Sequence, residues 1–236
     1  MGSVHCAKCK KECSAEFIGT YLLVLFGAGS VIVSTFINGI TAHVFVASIF
    51  GGTVALVILL LGKHSGAHIN PAVTLAHVFA RKAGTDTVLP YLCFQALGGI
   101  VAAFTLRLFF LNQSVMPADL GSTELAFGVT PLYGILLEAI GTFLLCSAAL
   151  TATFYVRRPT RQAALVGGTL FLLILLIGPL TGASFNPARS IGPALSSGRW
   201  SNILVYLIGP LLGALLAAIP FRLFHQETKL EPQHSC

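Results

Sequence analysis

Apolar residues in this chain neither alternate with polar ones nor line one side of a helix. They run unbroken, near 14–37, 43–62, 88–110, 131–154, 162–180 and 201–224. Each run is roughly the 20 residues a helix needs to cross about 30 Å of hydrocarbon, and a helix apolar all round must sit in lipid or a core. The pattern predicts six spans, three in each half. Two further segments follow an Asn-Pro pair, each with about ten moderately apolar residues, which is too short to cross a membrane. They read as half-helices over 70–80 and 186–197. Asn70 and Asn186 are suited to N-capping, and Pro71 and Pro187 to a first helical position, where a missing N–H costs nothing. The extended residues before each box, Gly66, Ala67 and His68 in one and Gly182 to Ser184 in the other, have carbonyls free to line a lumen. Irregular backbone at that depth is tolerated only against protein or water.

The two half-helix segments belong to a duplication. FGGTVALVILLLGKHSGAHINPA, Phe50 to Ala72, recurs as VGGTLFLLILLIGPLTGASFNPA, Val166 to Ala188, at an offset of 116 positions with 13 of 23 residues identical. The matches include glycines, a threonine and the Asn70-Pro71-Ala72 and Asn186-Pro187-Ala188 boxes. These are backbone punctuation, which shared hydrophobicity alone does not produce. The repeat reaches the start of each half, where Glu16-Phe17-Ile18-Gly19-Thr20 is echoed by Glu138-Ala139-Ile140-Gly141-Thr142. Because each unit has three spans, the second inserts upside down relative to the first. The first repeat occupies 14–110, a connecting outer loop 111–130 and the second repeat 131–224.

Composition changes the picture only by excluding solution. At 55% hydrophobic, 9% charged and a mean hydropathy of +0.85, this is an integral, multi-pass membrane protein. The formal charge of +6 is spread as a topology signal and needs no nucleic-acid partner. Lys8, Lys10, Lys11, Lys63, Arg81, Lys82, Arg157, Arg158, Arg161, Arg222 and Lys229 flank one face of a six-span arrangement; Arg107 and Arg199 flank the other. By the positive-inside rule both termini are cytoplasmic. Residues 1–13 lack the pattern of a removable signal peptide and read as a disordered, reduced Cys/Lys tail, with 225–236 a second tail. Cys6, Cys9 and Cys13 could hold a soft metal or trivalent arsenic. With no second ligand pair following, the expectation is no metal and no cofactor.

Glu16 and Glu138 lie inside spans, where an acid costs about 2.5–3.5 kcal/mol on insertion scales. They are either an ion relay or acceptors for irregular backbone packed against them. Their symmetric placement, once per repeat, favours the second.

The paired boxes in SGAHINPAVTLA and TGASFNPARSIGPA, with the Glu-x-x-Gly-Thr openings and six spans, resemble the aquaporin, or major intrinsic protein, family over about residues 14–224. The second phrase is most similar to the nodulin-26-like and prokaryotic branches. The resemblance implies an all-α membrane fold of six transmembrane helices and two re-entrant half-helices in an inverted repeat. It also implies a homotetramer with one pore per subunit, passing water or small neutral solutes passively. It places a selectivity filter at Phe50, Ile174, Ala183 and Arg189. Arg189 stands where the first repeat has Val73, and a mid-membrane arginine points to function on cost alone. Water-selective relatives have histidine where this chain has Ile174. Ser190, Ala194 and Tyr206 look like water channels and Leu207 does not, so these positions leave the substrate open between water and glycerol, urea or metalloid acids.

Two helix N-termini meeting at mid-membrane would place positive partial charge and the amides of Asn70 and Asn186 on a passing oxygen, breaking a proton wire and repelling cations. His64 and His68 border the first box, either as a pH gate or, more simply, as residues satisfied by loop backbone. The Asn112-Gln113-Ser114 sequon reads as chance. No HExxH, catalytic triad or phosphate loop is present, so an enzyme finds no chemistry here. Against the passive channel stand an ion-coupled transporter, which also uses inverted repeats, and an adhesive or scaffolding membrane protein.

Overall fold

The computed structural model describes residues 2–37, 39–110 and 119–224, with only the backbone of residues 2–8. The sequon at 112–114, Lys229 and the 225–236 tail lie outside the described residues. Among those residues there are eight α-helices: α1 (Gly2–Ser34), α2 (Ile40–Ser65), α3 (Pro71–Phe79), α4 (Val88–Phe110), α5 (Pro131–Tyr155), α6 (Pro159–Thr181), α7 (Pro187–Ser197) and α8 (Ile203–Phe224). All but α3 and α7 are long and apolar enough to cross a membrane. The two short helices begin one residue after each asparagine.

The first span differs most from expectation. Helix α1 starts at Gly2, so the stretch read as a disordered tail continues the first helix. Residues 3–13 contain no proline or glycine and include Ala7, Lys8, Lys10, Lys11 and Glu12, all good helix formers. Once the span nucleates the helix, nothing stops it from running on. Cys9 and Cys13 fall one turn apart with their sulfurs 3.9 Å apart.

The duplication appears directly in the packing. Helix α1 packs on α4 and α2 as α5 packs on α8 and α6, and each half-helix crosses over to the other unit, α7 against α4 and α3 against α8. Helices α2 and α6 meet at the centre, where a Cβ on Gly51 would lie 2.7 Å from the Gly167 carbonyl oxygen and one on Gly167 2.5 Å from that of Gly51. Without a hydrophobic force between helices in lipid, such close backbone approach is what association relies on.

Candidate functional site

Each half-helix is launched by the same device. Gly66 and Gly182 end α2 and α6 in the left-handed region, at φ 84° and 75°. Four non-glycine residues follow suit: Ala67, Ile69, Ala183 and Phe185, at φ between 45° and 52°. Such conformations cost about 1–3 kcal/mol each and persist only where the surroundings impose them. The buried glutamates impose them. Glu16 accepts from Ser65 Oγ (2.6 Å), His68 N (2.9 Å), Ile69 N (2.6 Å) and Gln95 Nε2 (2.7 Å). Glu138 accepts from Thr181 Oγ1 (2.7 Å), Ser184 N (3.0 Å) and Phe185 N (2.8 Å). A hydrogen bond to a charged group contributes about 1.5–3 kcal/mol, so three or four offset both burial and the strained turns. With both carboxylates saturated by fixed donors, no described geometry offers a relay from one to the other.

The asparagines then lock the two units together. Asn70 Nδ2 donates to Phe185 O (2.8 Å) and Asn186 Nδ2 to Ile69 O (2.9 Å), while their Oδ1 atoms cap α3 through Ala72 N (2.9 Å) and α7 through Ala188 N (3.0 Å). One N–H of each amide is thus committed to the opposite loop. The second N–H of each is left for whatever occupies the cavity that both residues line.

That cavity, about 590 Å³, is lined by Lys82, Thr153 and Arg157, by Gly66 to Asn70, by Ala183, Ser184 and Asn186, and by Phe50 and Arg189. Among the described residues its wall contains Lys82, Arg157 and Arg189 and no carboxylate. Burial of Lys82 pulls its ammonium below the ordinary lysine pKa, and the group rests 4.3 Å from the centre of the Phe154 ring.

The filter candidates fall into two groups. Phe50, Ala183 and Arg189 share the cavity wall, and the Arg189 guanidinium carbon lies 5.1 Å from the Phe50 ring centre. Arg189 is 2% exposed; its Nη1 donates to Gly121 O at 2.8 Å, and its Nε has no hydrogen-bond partner among the described residues. Ile174 is buried but absent from that wall. It continues by one turn the stripe of α6 formed by Val166 and Leu170, both of which do line the cavity. Gly182, expected as a lining carbonyl, is not among the residues of that wall; a Cβ on it would stand 3.4 Å from the Thr123 Cα.

Several partners of the site carry no signature in the sequence. The arginine's carbonyl comes from Gly121, in the connecting segment, and not from 182–184. The same segment supplies Thr123, whose Oγ1 lies 2.8 Å from Ser190 Oγ, itself 2.6 Å from Ser184 Oγ. Tyr91 donates to Ser65 O (3.0 Å) and Tyr206 to Thr181 O (2.9 Å), a repeated tie that aligning the third spans of the two units could have found. His64 is exposed. The partners of His68 are not loop backbone alone: its Nδ1 is 3.2 Å from Thr74 Oγ1 and its ring stacks on His77 at 4.4 Å.

Comparison with known proteins decides the family. The model described as major intrinsic protein matches residues 3–221. The chain belongs to the major intrinsic protein family. Aquaporin NIP1-1 of Oryza sativa subsp. japonica is 37% identical over 91% of this chain and 74% of its own length. Aquaporin AqpM of Methanothermobacter thermautotrophicus is 34% identical over 92% and 98%. The X-ray structure of the aquaglyceroporin from Plasmodium falciparum superimposes with a TM-score of 0.81, covering 93% of this chain and 96% of that one at 24% identity, a likeness of fold. This major intrinsic protein is therefore an integral, multi-pass membrane protein of a channel family, with the inverted-repeat architecture read from its boxes.

Proposed function

We propose that the chain is a passive channel conducting water, with secondary passage of small neutral solutes and exclusion of protons and ions. The observation that carries this reading is one cavity lined by both half-helix capping asparagines and by three cations, with no acid in its wall among the described residues. Helix N-termini and fixed cations raise the energy of a cation in low dielectric. A water held by both asparagines must donate outward in both directions, so a proton wire is broken at that point. Arg189, with Nε unused, is the polar side of a filter whose other members, Phe50, Ala183 and Ile174, are apolar. An amphipathic solute could turn hydroxyl or amide groups to the arginine and CH groups to the ring, leaving neither unpaired.

Ile174 belongs to this filter by family likeness, although it does not line the cavity. The chain functions as a homotetramer with one pore per subunit and both termini in the cytoplasm, its partners being water, neutral solutes and the bilayer, with no cofactor and no enzymatic step. The exposed faces of α5 and α8, rich in leucine and isoleucine, suit lipid or neighbouring subunits. A second reading, with glycerol, urea or a metalloid acid as the main substrate, is favoured by the lack of a polar group at Ile174. Stopped-flow light scattering on reconstituted vesicles separates them. Water permeability well above empty vesicles with slower glycerol or urea entry is expected, and Ile174→His should cut solute entry about tenfold while sparing water. Solute entry outpacing water would move the assignment to the second reading, and solute flux dependent on an ion gradient would replace both with a coupled transporter. Native mass spectrometry in mild detergent should give a tetramer; a monodisperse monomer would overturn the assembly.

A further inference from the structure

We propose that Gly27, on α1 and outside the cavity wall, is a specificity-determining residue that sets how far the Phe50 ring projects into the filter. The inference rests on the channel reading above and adds a residue to it. A Cβ built on Gly27 would overlap Cε1 and Cζ of Phe50 and stand 2.6 Å from Cδ1, where ordinary contact begins at 3.4 Å. The ring is seated in a notch that only the missing side chain provides. The Arg189 guanidinium lies over the same ring, 5.1 Å from its centre. Any side chain at position 27 must push the ring off α1, and the cavity that Phe50 and Arg189 line is the space in which it can move.

The second repeat holds an internal control. Glu16 and Glu138 define an offset of 122 for the first span, which pairs Gly27 with Ala149; the offset of 116 for the second span pairs Phe50 with Val166. Ala149 and Val166 are both buried in the cavity wall. At the equivalent positions, therefore, one unit has no side chain beside a phenyl ring, and the other has a methyl and a smaller, β-branched group. Complementary volumes of this kind are what close packing requires, and overfilling one member displaces the other.

The test compares water, glycerol and urea permeability in vesicles containing the parent, Gly27→Ala, Phe50→Val and the double variant Gly27→Ala/Phe50→Val, which transplants the pair of the second repeat. Gly27→Ala should lower glycerol and urea entry relative to water by about tenfold. The double variant should recover solute entry to at least the parent level. An unchanged solute-to-water ratio in Gly27→Ala, or a loss that Phe50→Val does not rescue, would overturn the proposal. If Gly27→Ala does not fold, the double variant must fold, because the overlap is gone; failure of both would place Gly27's role in helix packing and overturn it equally. A parent that passes neither water nor solute would instead remove the channel reading itself.

Discussion

The two repeats use the same parts to build and different parts to choose. Each has a buried glutamate gripping two loop N–H groups and a hydroxyl, a tyrosine on its third span tied to the end of its second span, and an asparagine that caps its own half-helix while bonding the opposite loop. Three of the differences between the units face the cavity: Phe50 against Val166, Val73 against Arg189, His68 against Ser184. Residues that must satisfy buried backbone have few alternatives, because an unpaired group costs about 1–3 kcal/mol. Residues that merely face the lumen were free to drift apart, and the resulting asymmetry puts the arginine and the phenyl ring at one end only. The comparison thus separates the shared scaffold from the residues proposed to select, without reference to any other protein.

The largest effect expected is on the scaffold. Glu16→Ala leaves Ser65 Oγ, His68 N and Ile69 N without an acceptor, while Gln95 Nε2 keeps Thr74 Oγ1, and Glu138→Ala likewise leaves three donors without one. At the cost of an unpaired buried group each should lose at least about 3 kcal/mol, read as a fall in thermal midpoint in detergent. Comparable losses in the two variants would support equivalent roles; a stable Glu16→Ala with altered ion flux would break the symmetry and revive the relay. Next comes the selector. Arg189→Val makes the second box resemble the first, and water should still pass while protons begin to leak. A barrier lowered by only about 1.4 kcal/mol would raise the leak about tenfold, measured with a pH-sensitive dye in vesicles. No added leak would assign the whole barrier to Asn70 and Asn186.

Much of this was legible in the chain because it is local. Runs of apolar residues, Asn-Pro at a helix start and glycine at a helix end act within a few residues of themselves, and a duplication makes each signal visible twice. The helices accordingly begin at Pro71 and Pro187, one residue inside the expected ranges. What stayed hidden acts through space. The Arg189 partner is a backbone carbonyl at Gly121, and any residue type can supply a carbonyl. The Gln95 side chain reaches Glu16 across 79 positions, and its counterpart in the second unit is Pro210, so even the repeat gave no hint. The notch at Gly27 is an absence of atoms, recognisable only when the ring that fills it is in place. The first thirteen residues were misjudged for the opposite reason: their polarity suggested a tail, while their helix-forming content and attachment to a stable span decided the outcome.

The smallest effect concerns the tyrosines. Tyr91→Phe and Tyr206→Phe each remove one hydrogen bond to a helix-end carbonyl while keeping the ring, at a cost of about 1 kcal/mol apiece. Thermal midpoints of the two variants should fall slightly and about equally. A marked difference would mean that Gln95 in the first unit, or Thr123 and Ser190 in the second, shares the load unequally.

In the proposed channel, a scaffold shared by both repeats carries a selector open to neutral molecules and closed to protons. Osmotic water permeability and proton flux, measured in the same vesicles containing the unmodified protein, decide whether it does. Water permeability should lie clearly above that of empty vesicles, with proton flux indistinguishable from them and no dependence on an ion gradient. Water permeability at the empty-vesicle level, or proton flux rising in step with water flux, would contradict it.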